Sequence, residues 1–140
     1  MRKIENGKIV RIIDANLNRA KEGLRVCEDV SRFIFNSKKQ TREYKAIRHR
    51  LEAVLKSLFP KRAALISQRD VNADVGRSST AVEFKRQNVR DIFYANSQRS
   101  KESLRVLEEF AKLLNEKSAQ AFKELRYKIY ALEKDIVKKF

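Results

Sequence analysis

The sequence predicts an all-α fold, a four-helix arrangement built from two repeated helix pairs with a long loop between the halves. Three observations indicate it. Only three glycines and one proline occur in 140 residues, which disfavours a loop-rich β architecture. Apolar residues recur at helical spacing in four segments, and a 24-residue segment recurs 80 positions later. The length suits a single domain, 1–140, with a substantial hydrophobic core.

The first predicted helix spans about residues 8–36. Because its apolar residues form two adjoining rows, its apolar face is wider than a surface helix requires, and we expect this helix to be central in the fold. The main row contains Ile13, Leu17, Ala20, Leu24, Cys27 and Ile34, and the second row contains Ala15, Val26, Val30 and Phe33.

Three further helices follow from the same periodicity. The second is predicted over 43–59 and ends before Pro60, because proline disfavours helical φ and ψ at the preceding residue. The third is predicted over 83–115, and a polar turn separates it from the fourth. The apolar row of the second helix is Tyr44, Ile47, Leu51, Val54 and Leu58, and that of the fourth is Phe122, Leu125, Ile129, Leu132 and Ile136.

The internal repeat aligns residues 12–35 with residues 92–115 at ten identical positions. One amphipathic helix follows each copy, so we predict helix pairs related by an approximate twofold axis, with repeat one at 8–59 and repeat two at 83–140. The irregular stretch 60–82 is long for a connection in a compact domain, and we expect it to be functional. The identical pairs are Ile12/Ile92, Ala15/Ala95, Asn16/Asn96, Arg19/Arg99, Lys21/Lys101, Glu22/Glu102, Leu24/Leu104, Arg25/Arg105, Val26/Val106 and Glu28/Glu108.

The chain carries 33 Lys and Arg against 18 Asp and Glu, a formal net charge of +15. This balance predicts attraction to polyanions or to small phosphorylated ligands, and solvated helix faces are the simple alternative. A basic helical nucleic-acid-binding or docking module without catalysis is the competing function, although the aromatic residues fall in core stripes and no nucleic-acid motif is present. Since no glycine-rich phosphate loop or histidine pair occurs, side-chain cations and helix N-termini would have to hold a nucleotide.

No segment reaches the roughly 18 apolar residues of a membrane span, and we recognise no secretory signal, so we expect a cytoplasmic protein without membrane contact. The single cysteine, Cys27, excludes an intrachain disulfide and suits a reducing compartment. Because Cys27 lies in the core row, we expect a buried and inert thiol. His49, the single histidine, lies opposite the apolar row of its helix and is expected to be solvated.

Two arginines interrupt the predicted apolar faces. Arg19 falls on the second row, and Arg99 is its equivalent in repeat two. A guanidinium in such a face is costly unless it is paired or binds an anion, and its planar fork suits phosphate oxygens. The alternative is a structural network in which Glu22 and Glu102, one turn on, pair with the arginines. The polar residues that interrupt these faces are Asn16, Arg19, Asn96 and Arg99.

The loop is dense in groups that bind anions and cations. Asp70 and Asp74 lie within five residues, flanked by Arg69 and Arg77, and Gly76 can take a positive φ. One or two carboxylates together with substrate phosphates form a typical donor set for Mg²⁺. Capping of the loop backbone is the alternative role for these carboxylates.

Arg25 and Arg105 are further candidates for phosphate binding, since they are identical in the two copies. They lie nearer the polar side of their helices, where pairing with acidic residues on the same helix is the alternative. The sequence leaves both roles open.

Three segments carry a resemblance to a known family: RIIDANLNRAKEGLRVCEDVSRF at the start, RDVNADVG in the loop and SKESLRVLEEFAKLL in repeat two. Over nearly its whole length the chain resembles the small hydroxymethylpyrimidine monophosphate kinases, found alone or fused to the N-terminus of thiamine-phosphate synthase. The resemblance implies an ATP-dependent phosphotransferase of thiamine biosynthesis. Its γ-phosphoryl acceptor would be 4-amino-5-hydroxymethyl-2-methylpyrimidine monophosphate, with the unphosphorylated pyrimidine rejected. A homo-oligomer, or association with thiamine-phosphate synthase, stays open.

Roles for the candidate residues combine this implied reaction with their position and type. A phosphate acceptor is already ionised, so catalysis consists of positioning and charge neutralisation by arginines and Mg²⁺, without a base. The predicted catalytic residues are Arg19, Arg99, Asp70 and Asp74. The predicted phosphate-binding residues are Asn16, Asn96, Arg69, Arg77, Arg25 and Arg105, and the predicted metal ligands are Asp70, Asp74 and Asp14.

Overall fold

The computed structural model describes residues 3–80 and 84–140, and every element within these ranges is helical, which confirms the predicted all-α class. None of the described helices is long and apolar enough to cross a membrane. The elements are α1 (Lys3–Asp29), which continues as a π-helical turn (Val30–Ile34), α2 (Lys38–Leu58), the short α3 (Arg62–Ile66), α4 (Val89–Ala111) and α5 (Glu116–Val137).

Local signals set the helix ends. Side-chain oxygens of Ser37, Asn88 and Asn115 accept hydrogen bonds from backbone N–H groups in the first turns of α2, α4 and α5. These caps satisfy donors that have no partner within the helix. The predicted start of the third helix at residue 83 lies outside the described residues, and the cap at Asn88 begins the helix at Val89. The predicted irregular stretch also contains α3.

Helices α1 and α4 form an antiparallel pair. The Ser100 hydroxyl donates to the Ala20 carbonyl oxygen at 3.3 Å, and the Cys27 thiol lies 3.9 Å from the Phe93 carbonyl oxygen. Because Ser100 follows Ala20 by 80 residues, the helices cross at equivalent positions of the two copies, as a twofold axis requires. Helices α2 and α5 pack on α1 and α4 respectively and also contact each other, so they form a second layer.

The core lies between these two layers. Burial of the main row of α1 from Ile13 to Cys27 confirms that part of the prediction, and Leu58 is half-buried. The remaining predicted core residues of α2 and α5 are all buried: Tyr44, Ile47, Leu51, Val54, Phe122, Leu125, Ile129, Leu132 and Ile136.

The end of α1 departs from the prediction. Phe33 and Ile34, expected in the core, are 64% and 53% exposed. A π-helical turn adds one residue to a turn and so rotates the following side chains away from a 3.6-residue period. Phe35 instead packs on Phe140, with ring centroids 5.0 Å apart. Ala15 of the second row is also exposed, so the prediction of a second core row is wrong for these members.

Cys27 and His49 have the predicted environments. Cys27 is buried, and burial, with a smaller contribution from the negative charge of Glu133, raises the pKa of its thiol to about 12. A thiol with so high a pKa is inert at neutral pH. His49 is exposed on α2.

A buried carboxylate joins the two layers in each repeat. Glu28 accepts hydrogen bonds from Arg48 of α2 at 2.9 and 3.2 Å. Its equivalent Glu108 accepts one from Arg126 of α5 at 3.0 Å, and this bond raises the pKa of the Arg126 guanidinium. Both glutamates are buried, and burial of a charge is tolerated because it is paired.

A lysine makes a second interlayer ion pair in each repeat. Lys21 pairs with Glu52, and Lys101 pairs with Glu133 at 2.6 Å. The lysine and the buried glutamate of these ion pairs are each identical between the copies, as Lys21/Lys101 and Glu28/Glu108. Part of the repeat identity therefore serves to hold the two layers together.

Candidate functional site

A cleft of about 530 Å³ lies between the N-terminal half of α1 and the chain that follows α3. It exists because this chain folds back along α1, where the Arg11 guanidinium donates to the Asp70 carbonyl oxygen at 3.4 Å. The polar lining consists of the cations Lys8, Arg11, Arg19 and Arg69, the carboxylates Asp14, Asp70 and Asp74, and the amide Asn16.

Asp14 ties the loop to α1. The residue is only 4% exposed. Its two carboxylate oxygens accept hydrogen bonds from Nε and Nη2 of Arg69 at 2.5 and 2.8 Å. The Asn18 amide also donates to Asp14 Oδ1 at 3.3 Å. The paired carboxylate raises the pKa of the Arg69 guanidinium. Since Arg69 engages both oxygens, the structure favours a positioning role for Asp14, and its predicted ligation of a metal stays a prediction.

Asn16 places Arg19. Its amide nitrogen donates to the Ile12 carbonyl oxygen at 2.9 Å, which fixes the amide against the helix backbone. Its Oδ1 then accepts a hydrogen bond from Arg19 Nη1 at 3.4 Å. The fork of Arg19 is thereby held beside the cleft, with donors left for a ligand.

Asp70 and Asp74 each cap the loop backbone with one oxygen. Asp70 Oδ1 accepts from Ala73 N and Asp74 Oδ1 accepts from Gly76 N, both at 3.0 Å. Gly76 does not use its freedom to take a positive φ, since Asn36 is the one described residue with a positive φ. Among the described residues, the second oxygen of each aspartate accepts no hydrogen bond, so each carboxylate could contribute one oxygen to a Mg²⁺ ion completed by ligand phosphates. No group of three or more potential metal ligands occurs within the described ranges.

The electrostatics of the cleft favour an anion. Within the described part of the chain, Lys8, Arg11 and Arg19 make no ion pair with a carboxylate, whereas Arg69 is paired with Asp14. The lining holds four cations against three carboxylates, and cations without an ion-pair partner attract phosphorylated ligands. The arrangement can therefore bind an anion of several phosphate groups next to a metal held by aspartates.

The structure brings together six of the predicted site residues: Asp14, Asn16, Arg19, Arg69, Asp70 and Asp74. Arg77 is exposed in the loop and does not line the cleft. Arg25 pairs with Glu28 at 3.5 Å, and Arg105 pairs with Glu109 at 3.1 Å. The structure therefore contradicts phosphate binding by Arg25 and Arg105 in the cleft and favours the ion-pair alternative.

Arg19 and Arg99 do not lie in buried apolar faces, contrary to the prediction. Both are exposed, because α2 and α5 cover only one face of the α1–α4 pair. The alternative network is also wrong: among the described residues neither arginine pairs with Glu22 or Glu102, and Glu102 accepts a hydrogen bond from Gln98 at 3.1 Å. Asn96 and Arg99 lie on α4, outside the cleft.

The cleft is also lined by three residues that were not predicted as site residues from the sequence: Lys8, Arg11 and Val71. Lys8, Arg11 and Arg19 lie near one another on α1 at helical spacing, a signal that was available. What the sequence did not show is that the loop returns to this side of the helix.

Fold and cleft define a class: a two-layer helical protein with an internal repeat and a cationic, aspartate-containing cleft suited to phosphorylated ligands. Residues 11–135 match the ThiD2 family, and the chain belongs to that family. The family and the names of the relatives below indicate thiamine biosynthesis.

The chain is similar to proteins named thiamine-phosphate synthase. It is 41% identical over 131 residues to that of Synechocystis sp., with 92% of this chain and 36% of the relative covered. With the Rhodopirellula baltica protein it shares 36% identity over 137 residues, covering 97% of this chain and 36% of the relative. The chain thus spans about a third of the length of these relatives. No solved structure matches it.

Proposed function

We propose that the chain transfers the γ-phosphoryl group of ATP to 4-amino-5-hydroxymethyl-2-methylpyrimidine monophosphate. The bond between the γ-phosphorus and the β,γ-bridging oxygen breaks, and a bond forms between that phosphorus and an oxygen of the acceptor phosphate. The products are ADP and the pyrimidine diphosphate. Membership of the ThiD2 family and the names of its relatives support a step in thiamine biosynthesis.

The cleft is the single observation that carries the phosphotransfer. Its lining combines three cations of α1, Lys8, Arg11 and Arg19, with two aspartates of the loop that folds back on α1. The aspartates are Asp70 and Asp74. The triphosphate of a nucleotide supplies the negative charge that these cations lack within the described residues. The two aspartates would hold Mg²⁺, which supplies neutralisation of charge on the transferring group.

The chemistry needs no general base on the protein. An acceptor phosphate is an anion near neutral pH, so no hydroxyl proton has to be removed. The one histidine, His49, is exposed on α2 and does not line the cleft, which agrees with a mechanism of positioning and charge neutralisation. An unphosphorylated pyrimidine would leave a phosphate-binding cation without its counter-charge, which explains the proposed discrimination against it.

The direct test is an assay of ADP release with ATP and Mg²⁺, comparing the pyrimidine monophosphate with the unphosphorylated pyrimidine. We expect turnover with the monophosphate and at least 100-fold less with the alcohol. Arg19→Ala should lower kcat/KM at least 100-fold, because it removes a charge that contacts the reacting phosphates. Arg105→Ala is the matched control, since Arg105 is an exposed, ion-paired arginine outside the cleft. Lack of turnover with both pyrimidines would overturn the proposal.

The Asp14–Arg69 pair gives a second, finer test. Asp14→Asn keeps the shape of the side chain but removes the charge that holds Arg69, so we expect kcat/KM to fall about tenfold with the helical circular dichroism unchanged. A larger fall in Arg69→Ala than in Arg69→Lys would show that the charge on the loop matters. Equal activity of Asp14→Asn and the unaltered chain would exclude the positioning role.

A further inference from the structure

The repeat preserves more than the interlayer contacts require. Of the ten identical pairs, one lies in the core and three take part in the ion pairs described above. The other six pairs share one face of their helices and, apart from Asn16, stay at least partly exposed. These six pairs form what we call the repeat stripes: Ile12, Ala15, Asn16, Arg19, Glu22 and Val26 on α1, and Ile92, Ala95, Asn96, Arg99, Glu102 and Val106 on α4.

The two repeat stripes lie on the same side of the α1–α4 pair. A twofold axis that relates antiparallel helices runs perpendicular to both, so equivalent faces stay on one side. Helices α2 and α5 pack on the opposite side, through Lys21 and Lys101. Arg19 and Arg99 each precede the residue at which the helices cross, Ala20 or Ser100. The two arginines therefore flank the crossing on a surface that no other described helix covers.

The helices approach closely at this crossing. A side chain at Gly23 would meet the Ser100 hydroxyl and come within 2.7 Å of the Asn96 carbonyl oxygen. Because the helices approach so closely there, the two stripes come near each other at the crossing. A ligand on the α4 stripe would then lie next to a ligand in the cleft, whose lining includes Asn16 and Arg19 of the α1 stripe.

The asparagines of the two stripes make the same contact with their helix backbone. The Asn96 amide donates to the Ile92 carbonyl oxygen at 2.8 Å, as the Asn16 amide does to Ile12 at 2.9 Å. In both copies the amide is fixed against the helix backbone three residues before the arginine. The copies differ at the next step: Arg19 donates to Asn16 Oδ1, whereas among the described residues the Arg99 side chain makes no hydrogen bond or ion pair, so its donors are available to a ligand.

The two stripes differ in the acidic groups beside them. The α1 stripe has Asp70 and Asp74 of the loop in the same cleft, whereas Glu102 on the α4 stripe is engaged by Gln98. Two aspartates suit a phosphate chain that carries Mg²⁺. An arginine with free donors beside a fixed amide, without such a pair of carboxylates, suits a small phosphate monoester that carries no metal.

We propose that Asn96 and Arg99 form a binding site for the phosphate of the acceptor, a small phosphate monoester, while the cleft takes the metal-bound nucleotide. The assignment of donor and acceptor rests on the proposed phosphotransfer. The approximate twofold relation between the helices would then place the two phosphorylated ligands on either side of the helix crossing, next to each other. The α4 stripe supplies positioning of the acceptor, and the loop supplies the metal on the donor side only.

The test is calorimetric binding to the unaltered chain and to variants, with each ligand alone. The probes are the pyrimidine monophosphate without metal and a non-hydrolysable ATP analogue with Mg²⁺. We expect Arg99→Ala to lower the affinity for the monophosphate at least tenfold and the affinity for the nucleotide less than twofold. Arg99→Lys should recover part of the lost affinity. Arg19→Ala should lower the affinity for the nucleotide more than the affinity for the monophosphate. Arg105→Ala, on the same helix, should change neither affinity.

Kinetics separate this inference from the proposed function. If turnover occurs, Arg99→Ala should raise KM for the monophosphate at least tenfold and leave KM for ATP within twofold. Turnover with unchanged monophosphate binding in Arg99→Ala would overturn the site while the function stands. Selective loss of monophosphate binding in a chain without turnover would keep the site and overturn the function. Failure of the unaltered chain to bind the monophosphate at millimolar concentration would overturn the site.

Discussion

The two repeats share a scaffold but differ in what lies against their first helices. In both, a buried glutamate and a lysine tie the first helix to the second layer through Glu28 and Lys21 or their equivalents. In repeat one, the chain after the second helix returns to α1 and closes a cleft through Arg69 and Asp14. In repeat two, the corresponding residues of α4 stay at least partly exposed. The difference teaches that the duplicated residues build the helix pairs, whereas the unique loop makes the two faces chemically unequal.

The largest expected effect tests whether the scaffold is equivalent in the two repeats. Glu28→Ala and Glu108→Ala each leave a partly buried arginine without its carboxylate, and we expect each to lower the free energy of unfolding by about 3 kcal/mol. Urea denaturation followed by circular dichroism measures both. The control is Glu109→Ala, which removes exposed ion pairs that water screens and should leave the denaturation midpoint nearly unchanged. A loss below about 1 kcal/mol in only one repeat would show that the two scaffolds are not equivalent.

The helix crossing is predicted to be asymmetric. Gly23→Ala would place a methyl group against Ser100 and the Asn96 carbonyl oxygen, so we expect a loss of about 1–3 kcal/mol despite the better helix propensity of alanine. Ser103 is the equivalent of Gly23, and Ser103→Ala should cost about 1 kcal/mol or less, through one hydrogen bond to the Arg99 carbonyl oxygen. Adding Ser100→Ala to Gly23→Ala should recover part of the loss. Equal melting temperatures for Gly23→Ala and the unaltered chain would refute the close approach.

The lysine pairs should differ in strength between the repeats. The side chains of Lys101 and Glu133 are 10% and 20% exposed, against 31% and 35% for Lys21 and Glu52. Lys101 also lies over the Tyr130 ring, 4.7 Å from its centroid. Because water screens the more exposed pair, we expect Lys101→Met to cost about 1–2 kcal/mol and Lys21→Met about 0.5 kcal/mol. The reverse order in thermal denaturation would contradict this reading.

The last difference between the repeats is a titrating group in the core: Cys27 has Leu107 as its equivalent in repeat two. The unfolded thiol loses its proton near its ordinary pKa of 9.0, while burial raises the pKa in the folded chain to about 12. The unfolded state therefore binds fewer protons between these values, so stability falls as the pH rises through that window. Burial raises the pKa of Tyr44 in the same direction and adds to the decline.

We expect Cys27→Ala to cost about 1 kcal/mol at pH 7 and to flatten the decline in stability above pH 9. Denaturation midpoints measured from pH 7 to pH 11 test this, with Leu107→Ala as a control that lacks a titrating group. An identical pH slope for Cys27→Ala and the unaltered chain would contradict the buried thiol.

Part of the candidate site was predictable because local sequence carries it. Asn16 and Arg19 share a helix face by spacing, and Asp70 and Asp74 mark the loop by composition. Lys8 and Arg11 could also have been predicted, because their helical spacing places them on the same side of α1 as Arg19. What could not be predicted is the pairing of Asp14 with Arg69, separated by 55 residues, since helical periodicity says nothing about where a loop returns.

The sequence by itself determined the helical class, the four long helices, the end of α2 before Pro60 and the twofold relation between the repeats. Spacing and internal identity encode these features locally. Only the tertiary structure decided that α2 and α5 cover a single face of the α1–α4 pair, that Arg19 and Arg99 stay exposed, and that a π-helical turn moves Ile34 out of the core. Periodicity defines which residues share a face, whereas the partner of that face depends on packing between segments distant in the chain.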